Sequence, residues 1–243
     1  MPGIEHVSSM RVRSGVSGFD ELVEGGFLAE RLYVISGPPG SGKTTFTAQF
    51  IAEGVRNNES CMYITMHETR EELVSDMSRY GFGFGTLTSS DNFHFINLVS
   101  PKGKHILNKF TNGQGSQGVQ SLTDKIVAFV NSRSVDRLVI DSTMLLRLFF
   151  ADGSEEMTRF LTALKQGDAT TLLISEMTDP SSYADEHYLA HGVVFFHNYL
   201  ESTGMTRGIQ VIKMRGTDID CDIRSVHFSD DGLVVDPQQK VEA

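Results

Sequence analysis

The stretch Gly37-Pro38-Pro39-Gly40-Ser41-Gly42-Lys43-Thr44 fits the pattern GxxxxGK[ST] at every fixed position. Glycines at these spacings let backbone N–H groups turn inward around phosphate oxygens. A helix starting at Lys43 adds the partial positive charge of its N-terminus. Lys43 then reaches the β- and γ-phosphates, and the Thr44 hydroxyl ligates Mg²⁺. Thr45 closes the expected nucleotide-binding run. A purely structural Gly-rich turn has no use for Lys-Thr at those positions. A second Mg²⁺ partner is needed on a neighbouring strand. Leu138-Val139-Ile140-Asp141 supplies three apolar residues and then a carboxylate. An acid that ends a buried strand is unusual unless it meets a cation. Asp141 is therefore expected to hold Mg²⁺, with Ser142 helping to place its waters.

These groups need a strand before the loop and a helix after it. Leu32–Ser36 reads as that strand and Lys43 to about Gly54 as that helix. Apolar runs then alternate with amphipathic stretches: strands at Cys61–Thr65, Phe93–Leu98, Arg137–Asp141 and Thr171–Glu176, helices at Thr69–Tyr80, Gln120–Asn131 and Glu155–Lys165. This is the βαβ pattern of a mostly parallel sheet. From Gly192 the pattern changes. Gly192–Tyr199, Ile209–Met214, Ser225–Ser229 and Leu233–Val235 are strand-like with short turns, which predicts antiparallel strands added at the C-terminal edge. The fold class is α/β, a central, mostly parallel sheet flanked by helices. One domain over residues 1–243 is the simplest division, with 1–30 packing on the core. Residues 101–119, rich in Gly, Lys and Gln, read as a flexible loop, and Asp179–Glu186 as a mobile acidic stretch.

Composition excludes several classes. Hydrophobic residues make up 40% and charged residues 21% of 243, ordinary values for a globular chain. A formal charge of −10 argues against a surface built for duplex DNA. Cys61 and Cys221 make no CxxC site and no disulfide framework, and both read as small core residues. No leader-like apolar segment follows Met1, and no apolar run approaches the ~20 residues of a membrane span. The expectation is a soluble, cytoplasmic protein without membrane insertion.

At this point four blocks resemble the KaiC-like branch of the RecA-type ATPases. The first is Arg13-Ser14-Gly15-Val16-Ser17-Gly18-Phe19-Asp20 with Gly25-Gly26, followed by the phosphate loop. The second is Tyr63-Ile64-Thr65-Met66-His67-Glu68-Thr69, leading to Tyr80-Gly81-Phe82. The third is the Asp141 strand. The fourth runs from Gly204-Met205-Thr206-Arg207 through Lys213-Met214-Arg215-Gly216-Thr217 to Ser229-Asp230 and Gly232. The resemblance implies a RecA-like P-loop NTPase fold, ATP and Mg²⁺ as ligands, and self-assembly into a six-membered ring. It implies that Lys213 and Arg215 reach the γ-phosphate held by a neighbouring subunit, where a cation stabilises charge on the phosphoryl group. Met214 and Thr217 fall within that nucleotide-contacting block. Ser229 and Asp230 match positions at the neighbour's face of the nucleotide, and Arg79 lies where a helix flanks the base.

The chain departs from the family pattern after its second strand. Two adjacent glutamates are usual there, one activating the attacking water; here the pair is His67-Glu68. Glu68 is the expected base, with His67 orienting water as a weaker, pH-sensitive partner. The family's clock members also phosphorylate adjacent Ser and Thr residues. The matching stretch here, His187-Tyr188-Leu189-Ala190, holds no such pair. The leading reading is a slowly hydrolysing regulatory ATPase acting with a protein partner the sequence does not name. Alternatives are a non-hydrolysing ATP-gated scaffold and a RecA-type DNA recombination accessory protein. The two stretches that would meet DNA disfavour the last. Ser142–Glu156 holds one Arg, Arg147, and no Lys; Met177–His191 holds neither Lys nor Arg. The other basic cluster is Lys102, Lys104 and Lys109. The apolar run 144–150 reads mostly as core, the remainder as surface for packing between subunits.

Overall fold

The computed structural model describes residues 10–109, 121–150, 154–201 and 204–241. In chain order the strands are β1 (Arg11–Val12), β2 (Phe27–Leu28), β3 (Leu32–Ser36), β4 (Cys61–Thr65), β5 (Phe93–Asn97), β6 (Arg137–Asp141), β7 (Thr170–Ser175), β8 (Gly192–Glu201), β9 (Gly204–Met214), β10 (Arg224–Ser229) and β11 (Gly232–Lys240). The helices are α1 (Lys43–Arg56), α2 (Arg70–Met77), α3 (Phe84–Leu87), α4 (Pro101–Lys109), α5 (Leu122–Asn131), α6 (Thr143–Phe149), α7 (Ser154–Lys165) and α8 (Asp185–Leu189).

β3 to β11 form a nine-stranded sheet in the order β11-β10-β9-β8-β3-β7-β6-β4-β5. The strands from β8 to β5 run parallel, and β9, β10 and β11 add antiparallel at the β8 edge. Every residue of β3, β4, β6 and β7 is buried, as expected for a parallel sheet covered on both faces. Alternation divides their side chains. Tyr33, Ile35, Tyr63 and Val139 join Phe46 and Phe50 of α1 on one face. Val34, Ile64, Leu138 and Ile140 meet Ile126 and Phe129 of α5 and Phe160 and Leu161 of α7 on the other. Each such fully buried side chain stabilises the fold by about 1.5–3 kcal/mol. Val12, Val16, Phe19, Leu22 and Phe27 enter the first cluster. The parity matters for chemistry: Asp141 shares its side of β6 with Val139, the side covered by α1.

Several helix starts follow from local chemistry. Thr69 caps α2 by accepting the Glu72 N–H, and Glu72 reaches back to the Thr69 N–H. Ser121 and Asp124 do the same at α5.

The structure corrects three sequence expectations. Pro101–Lys109 is helix α4 rather than loop; residues 110–119 lie outside the described set. The acidic stretch Asp179–Glu186 is structured at its end: Asp185 and Glu186 open helix α8, and Glu186 is only 2% exposed. Cys221 is exposed, not core, because its acidic turn faces solvent; Cys61 is buried. The 144–150 run agrees with its expectation of core plus surface: Leu146 and Phe150 are core, and Met144 is 54% exposed.

Candidate functional site

β3 ends at Ser36 and α1 begins at Lys43, so the glycine loop bridges a parallel strand and a helix N-terminus. Gly37, Gly40 and Gly42 have φ of 142°, 73° and 114°. A side chain at Gly37 would also place its Cβ 2.5 Å from the Phe196 carbonyl oxygen. Gly42 caps α1 without a side-chain bond, and the first turn holds no acidic residue. The first amides of a fourteen-residue helix are thus open to an anion. Lys43 is buried, with Nζ donating to the carbonyls of Gly37 at 2.8 Å and Pro38 at 2.9 Å. Burial lowers its pKa below the usual lysine value, and the Glu176 and Asp141 carboxylates pull it back up.

The C-terminal ends of four strands lie side by side. Ser36 pairs with Ser175, and Thr65 with Asp141. Asp141 is 2% exposed and accepts the Tyr63 hydroxyl at 3.0 Å. Burial pushes its pKa up to about 6; His67 and the Tyr63 hydroxyl oppose this, and Glu68 and Glu176 add to it. His67 Nε2 lies 3.5 Å from Glu68 Oε1. Its bond to Glu68 raises the His67 pKa, burial opposes the rise, and the charge of Asp141 adds to it. Asn97 Nδ2 donates to the Glu68 carbonyl at 2.8 Å, which fixes the turn after β4. Glu176 belongs with these groups although no motif marks it. Its charge acts on Lys43, Asp141 and His67. One signal for it exists: like Asp141, it is an acid at the C-terminal end of a wholly buried run.

The residues fit a nucleotide with its divalent cation. Ser41 Oγ and Glu68 Oε2 are buried yet have no hydrogen-bond partner. Nothing lies within 4 Å of a Cβ built on Gly40, so the loop is open at that point. Thr44 and Asp141 are the oxygen donors that could hold Mg²⁺.

The segment that follows Arg79 meets the one that carries Ser229 and Asp230. The Gly81 N–H donates to the Asp230 carbonyl at 2.6 Å, and the Tyr80 and Phe228 rings stack at 6.2 Å. The Arg79 guanidinium lies 5.0 Å from the Tyr80 ring centre. This cluster borders the phosphate loop: a Cβ on Gly42 would lie 3.3 Å from Phe228 Cζ.

Lys213, Met214, Arg215 and Thr217 do not join that group. Lys213 pairs with Val193, which pairs with Val34, and Met214 lies level with Tyr33 across β8. They sit towards the N-terminal ends of the parallel strands, whereas the phosphate loop is at the C-terminal ends. Lys213 Nζ donates to the carbonyls of His187 at 3.0 Å and Tyr188 at 3.1 Å. Burial lowers its pKa, and Arg215 and Lys165 add to the shift. Arg215 is exposed. The Met214 side chain is core, and Thr217 Oγ1 accepts from Arg11 at 2.8 Å.

Residues 12–240 match the family model described as ATPase: KaiC. The chain belongs to the KaiC ATPase family. A KaiC-like protein of the archaeon Pyrococcus horikoshii OT3 superposes with a TM-score of 0.78 at 27% identity, covering 94% of this chain and 100% of that one. The circadian clock oscillator protein KaiC of Parathermosynechococcus lividus is 27% identical over 214 residues, 84% of this chain and 38% of the relative. The circadian clock protein KaiC3 of Synechocystis is 26% identical, over 86% of this chain and 42% of the relative. The chain thus spans about two fifths of these KaiC proteins. The RecA-like α/β fold, with antiparallel strands at one edge, is that of the KaiC family. Among the described residues no helix is long and apolar enough to cross a membrane.

Proposed function

We propose that the chain is a Mg-ATP-dependent ATPase whose sites are shared between subunits of a homo-oligomeric ring. The observation that carries this reading is the split between two groups of cations. Lys43 stands in the phosphate loop, whereas Lys213 and Arg215 lie towards the other end of β3. Cations matched to the γ-phosphate but displaced from their own loop find use in trans. Six subunits is the count we favour.

In this reading the loop amides from Gly37 to Thr45 bind phosphate, and Lys43 neutralises its outer charge. Thr44 and Asp141 would hold Mg²⁺, which would supply charge neutralisation to the phosphates. Glu68 Oε2, buried without a partner, is the oxygen placed to take a proton from the attacking water. His67 engages the other oxygen and orients that carboxylate. Arg79, Ser229 and Asp230 border the base, with the last two at the face a neighbour would approach. Lys213 and Arg215 act on the adjacent subunit's ATP. Hydrolysis is slow, because a histidine stands beside Glu68. The biological role is regulatory, read by a protein partner, in the cytoplasm.

The test is ATP turnover per subunit against protein concentration. A steep rise followed by a plateau is the expected result; constant specific activity at every concentration would exclude shared sites. A second reading, an ATP-gated scaffold, is favoured by His67. It is supported if turnover stays at background and His67→Glu raises it sharply. A DNA-binding role is disfavoured: Arg147, the one Lys or Arg in the two stretches that would meet DNA, is paired with Glu186 at 2.6 Å.

A further inference from the structure

Helix α8 carries two buried polar side chains that the chemistry above does not use. Glu186 is 2% and His187 3% exposed. His187 Nδ1 accepts the Ala184 N–H at 3.0 Å, which leaves the ring proton on Nε2. Nε2 then donates to Ser36 Oγ at 2.8 Å, and Ser36 directly precedes the phosphate loop. Glu186 Oε1 accepts from Ser175 Oγ at 2.9 Å and from Thr143 Oγ1 at 3.3 Å. Glu186 Oε2 accepts from Arg147 at 2.6 Å. Ser175 precedes Glu176, and Thr143 stands two places after Asp141. One five-residue helix therefore ties together the ends of β3, β6 and β7. Its carbonyls at His187 and Tyr188 are held by Lys213. A helix this short has no stability of its own, so these bonds decide where it sits.

We propose that His187 and Glu186 are positioning residues for the phosphate loop and the adjacent carboxylates, and that α8 couples them to Lys213 of the same chain. The proposal rests on the nucleotide-site reading but not on ring assembly. In a ring, a Lys213 that turns to a neighbour's phosphate releases the carbonyls of α8. The state of one site is then felt at Ser36 of the next.

The test uses the nucleotide-free chain, diluted until sedimentation shows only monomer, so that no neighbour can contribute. Amide hydrogen exchange is followed across residues 36–43, and ATP affinity is measured alongside. Lys213→Ala is expected to speed exchange there about three- to tenfold, the range for one net hydrogen bond. Lys213→Arg, which still donates to the carbonyls, restores slow exchange. His187→Leu gives a similar increase, and His187→Gln, able to donate to Ser36, recovers part of it. Adding Lys213→Ala to His187→Leu brings no further increase. Unchanged exchange in Lys213→Ala, or effects that simply add in the double variant, would overturn the coupling. If His187→Leu fails to fold, the Lys213→Ala and Lys213→Arg pair decides alone. No ATP binding by the wild-type chain even at concentrations where it assembles, with this exchange response intact in the monomer, sinks the nucleotide-site reading instead and leaves the hydrogen-bond coupling standing.

Discussion

Asp141 shows how a buried carboxylate stores instability. Its pKa is about 6 when folded, against 3.8 for an exposed aspartate. The folded state therefore holds its proton more tightly. Stability from this group is greatest below about pH 4 and is lost as pH rises through the folded value. At pH 7.5 the cost is on the order of 2–3 kcal/mol. Asp141→Asn keeps an acceptor for Tyr63 and removes the buried charge. In the absence of nucleotide it should raise the melting temperature by several degrees at pH 7.5 and leave it almost unchanged at pH 4. A thermal scan at both values checks this; equal shifts at both would reject the electrostatic explanation. For Glu68, replacement by Gln keeps shape but not basicity. Turnover is expected to fall at least about a hundredfold with ATP affinity nearly unchanged, as measured by single-turnover kinetics and equilibrium binding. Lys43, Asp141 and Glu68 are legible in the sequence because each belongs to a short, continuous pattern. Glu176 is not, since it has no motif around it. The partners of Lys213 are distant in sequence, so nothing local reveals them.

At the scale of elements, legibility follows the source of each element's stability. Strands β3, β4 and β6 match the expected ranges because such short, mostly apolar runs between turn signals favour a buried strand. The start of α8, Asp185 and Glu186, falls in a stretch that reads as mobile in the sequence, because the helix is fixed by bonds to the distant Ser36, Ser175 and Lys213. Helix α4 is masked by Gly103 and three lysines, a composition that suggests a loop. Arg137 is a further element-level device. It is 1% exposed at the start of β6, bonded to Glu59 and to the carbonyls of Arg13 and Phe50. Arg137→Leu leaves those carbonyls and Glu59 without their donor. A loss of about 3 kcal/mol is expected in urea unfolding, with the m-value unchanged. A loss under about 1 kcal/mol would mean that this cluster contributes no more than a surface pair.

For the whole molecule, strand order is the least legible feature. β3 lies between β7 and β8, far from it in sequence, and only the sheet sets Ser36 beside Ser175 and Thr65 beside Asp141 at one end. The same sheet sends Lys213 and Arg215 towards its other end. That separation underlies the central claim that one subunit's cations serve its neighbour's phosphates. Lys43→Ala removes a cation from the loop; Arg215→Ala removes one from the donating face. Each variant alone is expected to be almost inactive. The most direct measurement is ATP turnover of an equal mixture of the two after subunit exchange. Interfaces that unite an intact loop with an intact donor then form in about a quarter of cases. Recovery to roughly a quarter of wild-type turnover is the expected result. A mixture no more active than either variant alone, despite confirmed mixed assembly, would contradict shared sites.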